Sequence, residues 1–100
     1  MANSTMPVDM AQVRFPSTNL NSVAELVTYV TRNAAFAICL VGVSGDTGRA
    51  LGTNGGSATV ICKNIPSDNI INYMCFGNGN RLALGHIDTT NNSVTVEKTL

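Results

Sequence analysis

The longest apolar segment of the chain lies at residues 34–43 and reads AAFAICLVGV. It is shorter than the about 20 residues that a membrane-spanning helix needs, so we expect it to be buried in protein. At the two-residue period of a β-strand, Phe36, Ile38 and Leu40 fall on one face and smaller side chains fall on the other. Because both faces are apolar, the segment predicts a central strand of a sheet.

A helix is predicted just before this strand, at residues 23–32. Ser22 and Glu25 have the spacing of a capping box, in which the hydroxyl accepts a hydrogen bond from a backbone N–H and the carboxylate reaches back to the cap residue. An apolar stripe follows at helical spacing, formed by Val23, Leu26, Val27 and Val30. We expect this stripe to pack on the face of the central strand that carries Phe36.

A series of short strands is predicted for the second half of the chain. Apolar and polar residues alternate there between turn-forming residues, and the predicted strands lie at 58–64, 70–76, 81–87 and 94–98. Their connections are short enough for hairpins, which predicts an antiparallel meander. Before them, 44–49 is predicted to be a turn and 50–53 a short or edge strand. The expected fold class is therefore α+β, mostly β, with one short N-terminal helix packed on an antiparallel β meander or sandwich.

Two segments are expected along the chain. Residues 1–17 are predicted to form an extended arm, since Pro7 and Pro16 disfavour helix before them. The apolar side chains of this arm are expected to dock on a neighbouring subunit or to belong to a longer natural chain. Residues 18–100 are predicted to form a single helix-plus-meander domain.

Oligomerisation is expected because several predicted strands are apolar on both faces, whereas one short helix covers only part of one face. Aromatic residues make up 5% of the chain, so the large buried areas that they usually supply are scarce. A small core of this kind is often completed by a second copy of the chain. The predicted interface is the small-residue face of the central strand, formed by Ala35, Ala37, Cys39 and Val41.

The charge pattern and the first residues of the chain bear on whether it binds nucleic acid or enters a membrane. Charged residues make up 12% of the chain, about half the usual share, and the net charge is zero. The Lys and Arg residues are scattered, which argues against nucleic acid as a partner. The first residues show no signal peptide, and no segment predicts insertion into a membrane.

The three cysteines, Cys39, Cys62 and Cys75, show no metal-ligand spacing, so we expect neither a metal nor a cofactor. We expect buried free thiols in a protein that folds in a reducing cytosol, with one inter-strand disulfide as the alternative.

Catalytic chemistry is represented by two weak patterns. The triplet Asp46-Thr47-Gly48 matches the one in which aspartic proteases carry their catalytic carboxylate, but the residues before it are typical of a turn. His86 and Asp88 can share a strand face, but no Ser or Cys nucleophile is tied to them by its spacing. No catalytic residue is therefore assigned, and the chain is not expected to be an enzyme.

Asparagines are concentrated in the predicted loops, at Asn54, Asn69, Asn78, Asn80, Asn91 and Asn92. Asparagine tolerates the left-handed backbone of turns, which accounts for these residues without a ligand. The functional alternative is a hydrogen-bonding surface at one end of the meander, suited to surface glycans, with Tyr73 or Tyr29 as a stacking platform. The candidate ligand-binding residues are Asn78, Asn80, Asn91, Asn92 and Tyr73.

The chain from Phe15 onward is Trp-free, low in charge and rich in Ser, Thr, Asn and Gly, with a short helix within NLNSVAELVTYV and a meander that ends in SVTVEKTL. In this layout it resembles the C-terminal head domains of bacteriophage tail fibres and receptor-binding proteins. The resemblance implies a homotrimer with small sheets packed about a three-fold axis and loops at the far end that contact bacterial carbohydrate. It also implies location in the virion after assembly in the host cytoplasm.

Two alternatives stay open. A virion decoration or baseplate component without receptor binding would have the same composition. A small dimeric aspartic-type protease would act through Asp46-Thr47-Gly48.

Overall fold

The computed structural model of the chain describes residues 13–16, 19–33, 36–41 and 46–100. Within these ranges six strands form one sheet, and two helices contribute to a core on one of its faces. The elements are β1 (Val13–Arg14), α1 (Val23–Asn33), β2 (Phe36–Val41), α2 (Asp46–Ala50), β3 (Ala58–Ile65), a 3-10 turn (Pro66–Asp68), β4 (Ile70–Phe76), β5 (Leu82–Asp88) and β6 (Ser93–Thr99).

The order of the strands in the sheet follows the order of the sequence. β1 pairs with β2 in parallel, and every later pair of neighbours is antiparallel. The predicted fold class, α+β and mostly β with a short helix packed on an antiparallel meander, is confirmed. Of the two predicted arrangements, meander and sandwich, the described residues form the meander.

Helix α1 begins with the predicted capping residues. The backbone N–H of Glu25 donates to the Ser22 hydroxyl at 3.1 Å, and the Glu25 carboxylate accepts from the backbone N–H of Asn21 at 2.9 Å. The carboxylate thus reaches one residue further back than the capping box predicts. The fully or almost fully buried side chains of the apolar stripe are Leu26, Val27 and Val30.

Helix α2 lies where the sequence predicted a turn followed by an edge strand. Asp46 and Arg49 form an ion pair at 2.8 Å on its exposed side, and Leu51, immediately after the helix, is fully buried. The Thr53 hydroxyl then donates to the carbonyl of Gly48 at 2.8 Å. The predictions of a turn and a strand are therefore wrong from Asp46 onward. A helix this short carries too little periodicity to be detected in the sequence.

The core of the chain lies between the helices and the inner face of the sheet. This face carries small side chains, which let the helices lie close to the strands. The small buried residues on it are Ala37, Cys39, Ala58, Cys62, Cys75 and Ala83. Larger buried side chains, Val41, Val60, Ile71, Tyr73 and Ile87, lie among them.

The predicted orientation of β2 is reversed in the structure. Ala37, Cys39 and Val41 are fully buried within their own chain, whereas Phe36 and Leu40 are 40% and 55% exposed. The small residues of β2 do permit a close approach, but the group that approaches is the helical layer of the same chain. The predicted oligomer interface at Ala37, Cys39 and Val41 is therefore wrong, and Ala35 lies outside the described residues.

The predicted N-terminal arm is described only at residues 13–16. Val13–Arg14 forms β1, which pairs with Phe36 and Ala37 of the same chain. This part of the arm therefore belongs to the sheet of its own chain. Residues 1–12 and Ser17 lie outside the described part of the structure.

Candidate functional site

The structure separates the four asparagines that were predicted to bind a ligand together. Asn78 and Asn80 lie in the turn between β4 and β5, whereas Asn91 and Asn92 lie in the turn between β5 and β6. Successive turns of an antiparallel meander lie at opposite ends of the sheet. The predicted single surface that contains all four residues is therefore wrong.

We call one of these ends the loop end, defined as residues 52–57 and 77–81. Its two segments are packed against each other: a Cβ added to Gly77 would lie 2.8 Å from Cβ of Thr53, and one added to Gly56 would lie 2.5 Å from Nδ2 of Asn78. Glycine is needed at Gly77 because the Thr53 side chain occupies the space of a Cβ, and at Gly56 because its φ of 76° lies in the left-handed region. The loop end is therefore a compact surface, and its exposed amide side chains are Asn54, Asn78 and Asn80.

Backbone conformation explains part of the asparagine pattern. Asn69, Asn80 and Asn92 have φ angles of 55°, 63° and 61°, in the left-handed region that asparagine tolerates better than most residues. The interpretation of these three asparagines as turn residues is confirmed. Asn54 and Asn78, in contrast, have no such backbone requirement.

Tyr73 is not available as a stacking platform. Its side chain lies on the inner face of the sheet, is 4% exposed, and crosses Gly85, where an added Cβ would lie 2.8 Å from the tyrosine Oη. The hydroxyl donates to the carbonyl of Leu51 at 2.7 Å, which ties the end of α2 to the sheet. Burial raises the pKa of Tyr73 to about 12. Tyr73 is thus a structural residue, and its assignment to a ligand site is wrong.

Tyr29, the other aromatic candidate, is half-buried on α1. It lines a shallow surface depression of about 430 Å³ together with Glu25 and Arg32. This depression lies along the helix, and the loop-end asparagines are absent from its lining.

The two candidate catalytic groups have other partners. Asp46 lies in the first turn of α2 and faces Arg49 of the same helix, whereas an aspartic protease needs two such carboxylates that face each other. Nδ1 of His86 lies 3.1 Å from the Glu97 carboxylate on β6.

Asp88 shares the strand face of His86 but is engaged by its own turn. It accepts hydrogen bonds from the Thr90 hydroxyl at 2.6 Å and from the Thr90 backbone N–H at 2.9 Å. These hydrogen bonds, the hydroxyl first, hold the pKa of the Asp88 carboxyl below its ordinary value. His86 and Asp88 share a strand face, as predicted, but their hydrogen bonds go to different partners.

The three cysteines are free thiols buried on the inner face, as predicted. Burial raises the pKa of the Cys75 thiol to about 11, and a hydrogen bond with Cys39, together with burial, raises the pKa of Cys62. A raised pKa leaves little thiolate at neutral pH, so Cys62 and Cys75 are poor nucleophiles. Among the described residues no group of three or more His, Cys, Asp or Glu side chains could hold a metal ion.

The outer face of the sheet carries a group of apolar side chains, including the residues of β2 that were predicted to lie under the helix. We call it the apolar band, and its residues are Phe36, Ile38, Leu40, Ile61, Met74, Phe76, Leu82 and Leu84. They occupy neighbouring register positions across β2, β3, β4 and β5. Met74 and Phe76 are 37% and 43% exposed, and no element among the described residues covers this face.

The apolar band reaches the loop end. A surface depression of about 380 Å³ joins them, with Leu40 and Phe76 of the band on one side and Ser57 and Asn78 of the loop end on the other. The apolar band and the loop-end amides are therefore adjacent surfaces on one end of the sheet.

Comparisons of the chain with protein-family models, with curated proteins and with solved structures found no match. None of the helices in the described ranges is both long and apolar enough to cross a membrane.

Proposed function

We propose that this chain is a structural protein of a bacteriophage particle, a receptor-binding head domain of a tail fibre that acts as a homotrimer and attaches to bacterial surface glycans. The observation that carries the proposal is the loop end, where the exposed amides of Asn54, Asn78 and Asn80 stand on a compact turn scaffold. A side-chain amide both donates and accepts hydrogen bonds, which suits hydroxyl-rich ligands.

The distribution of the titratable groups also favours binding over catalysis. His86 and Asp46 each face a charged residue, Glu97 and Arg49 respectively, and the thiols are buried. A surface with zero net charge and many small polar residues suits a neutral polysaccharide better than a phosphate-rich polymer. We propose the loop end as the glycan site, in preference to the turn that carries Asn91 and Asn92, because the loop-end amides lie on two segments that contact each other.

Binding to cells tests this proposal. The labelled protein is incubated with a panel of bacterial strains and with their isolated surface polysaccharides, and bound protein is measured. Asn80→Gly removes one loop-end amide while it keeps a residue that accepts a positive φ. Asn92→Gly is the matched control, because its φ of 61° is close to the 63° of Asn80 and it lies at the opposite end of the sheet.

We expect saturable binding that Asn80→Gly weakens and Asn92→Gly leaves unchanged. The reverse pattern would move the site to the other end of the sheet. If no strain and no polysaccharide is bound, the receptor-binding role is wrong, and a decoration or baseplate component becomes the better assignment.

A further inference from the structure

The apolar band is a continuous surface with a defined border. Across the sheet, Ile38, Ile61, Met74 and Leu84 form one row, because each is the register partner of the next. The adjacent row towards the loop end is formed by Leu40, Phe76 and Leu82, with Thr59 between Leu40 and Phe76. The next row in the other direction is mainly polar, and its members after Phe36 are Lys63, Asn72, His86 and Thr95. An apolar centre beside a polar rim is the usual composition of a protein–protein interface.

The size of the apolar band is of the order that a stable association needs. Its four most exposed residues, Phe36, Leu40, Met74 and Phe76, together expose about 350 Å², taking the exposed fractions of residues that each present roughly 200 Å² when free. A standard interface buries about 800 Å² on each partner, of which about 60% is apolar. These four residues therefore supply most of the apolar part of one standard interface.

We propose that the apolar band is the surface through which copies of this chain associate, each copy presenting its own band to the others. This inference deepens the proposed function, since it names the interface of the homotrimer on which that function rests. The band contains no charged residue, so it can face itself without like-charge repulsion. The zero net charge of the whole chain likewise favours self-association, whereas a different partner is usually selected by complementary charge.

The layering of the sheet also favours association of copies through the apolar band. Among the described residues, the sheet has helices on its inner face only, and a layered fold is complete when both apolar faces are covered. The outer faces of the other copies supply apolar sheet surfaces of equal width, and in a trimer each band contacts the bands of both neighbours about the three-fold axis. Because the apolar band borders the loop end, association through the band also brings the loop ends of the copies together.

Native mass spectrometry and light scattering at micromolar concentration test the inference. Met74→Lys places a charge at the centre of the apolar band, at a side chain that is 37% exposed in one chain and need not disturb the fold. Met74→Leu keeps the position apolar. Thr28→Lys adds the same charge on the exposed side of α1 and is the matched control.

We expect a trimer for the wild type, for Met74→Leu and for Thr28→Lys. Met74→Lys should give the 10.5 kDa monomer with an unchanged circular dichroism spectrum, because burying an unpaired charge weakens association by about 100-fold or more. If Met74→Lys fails to fold, disulfide cross-linking tests whether the apolar bands of different copies are in contact. An oxidised Met74→Cys variant should form covalent dimers, whereas Thr28→Cys should not, since the native cysteines are buried.

The outcomes separate this inference from the proposed function. A monomeric wild type, or a Met74→Lys variant that assembles normally, would overturn the interface. A dimer that depends on Met74 would keep the interface and overturn the trimer. Assembly through the band in a protein that binds no cell would leave the interface intact and overturn the receptor-binding role.

Discussion

Two neighbouring residues of β2 provide a direct test of which sheet face is the core of a single chain. Val41 is fully buried on the inner face, and Leu40 is 55% exposed on the outer face. Val41→Ala should cost about 2–3 kcal/mol of unfolding free energy, from about 0.8 kcal/mol per carbon removed plus the cavity left behind. Leu40→Ala removes more carbon atoms but should cost only about 1 kcal/mol in an isolated chain, because more than half of that residue is already in water. The smaller deletion should therefore be the more damaging one.

Urea unfolding at two protein concentrations checks this order. The loss from Val41→Ala should be the same in dilute and concentrated protein. The loss from Leu40→Ala should grow with concentration, since association stabilises only the copies that can still meet through the apolar band. If Leu40→Ala is at least as costly as Val41→Ala in dilute solution, the outer face is part of the core and the orientation described above is refuted.

Two further predictions concern buried polar groups. The pKa of Tyr73 is raised from 10.0 to about 12, so the fold favours the neutral phenol. The contribution of this preference to the unfolding free energy is complete below about pH 10 and is lost as the pH rises towards 12. The unfolding free energy of the wild type should fall in that window by up to about 2–3 kcal/mol. Tyr73→Phe should be less stable at neutral pH, because it has lost the hydrogen bond to Leu51, but its unfolding free energy should change less above pH 10. Parallel curves of unfolding free energy against pH for the two proteins would contradict this. Thr47 Oγ1 is buried and lacks a hydrogen-bond partner in the described part of the chain, so Thr47→Val should raise the unfolding free energy by about 1 kcal/mol in thermal or urea melts. Thr47→Ser, which keeps the hydroxyl and loses the methyl group, should lower it, and stabilisation by both changes would contradict the explanation.

The C-terminal meander was predictable because its signals are local. Alternation and turn residues set the bounds of each strand, so the strand at 70–76 was predicted over its observed range and the others to within a residue or two at each end. The capping residues Ser22 and Glu25 likewise located the start of α1.

The inward face of the sheet was not predictable in the same way. Alternation showed that β2 is apolar on both faces. Which of the two faces points to the core depends on the elements that cover it. Helix α2 was not visible in the sequence, and neither was the burial of Leu51 just after it, so the covering layer was assumed to be α1 alone. Side-chain size then suggested that the larger residues lie under the helix, whereas two helices packed close to the sheet require small ones.

The candidate site was predictable in composition but not in position. The sequence indicated which asparagines lie in turns. Which end of the sheet each turn occupies depends on the order of the strands, because successive hairpins of a meander alternate between the two ends. Tyr73 was misassigned because an aromatic residue in a strand with two apolar faces can point either way. Only the register with Gly85, which leaves room for the ring, identifies its side.

The sequence-ordered sheet has a consequence for how the chain folds. From β3 to β6 each strand pairs with the strand next to it in the chain, so each pairing closes only a short loop and costs little chain entropy. The connection from β2 to β3 is longer and contains α2, and β1 is separated from β2 by α1. We therefore expect the hairpins of the C-terminal half to form first and the N-terminal elements to be added to them. Translation delivers this half after the N-terminal elements, so the sheet should form only once β6 has been synthesised.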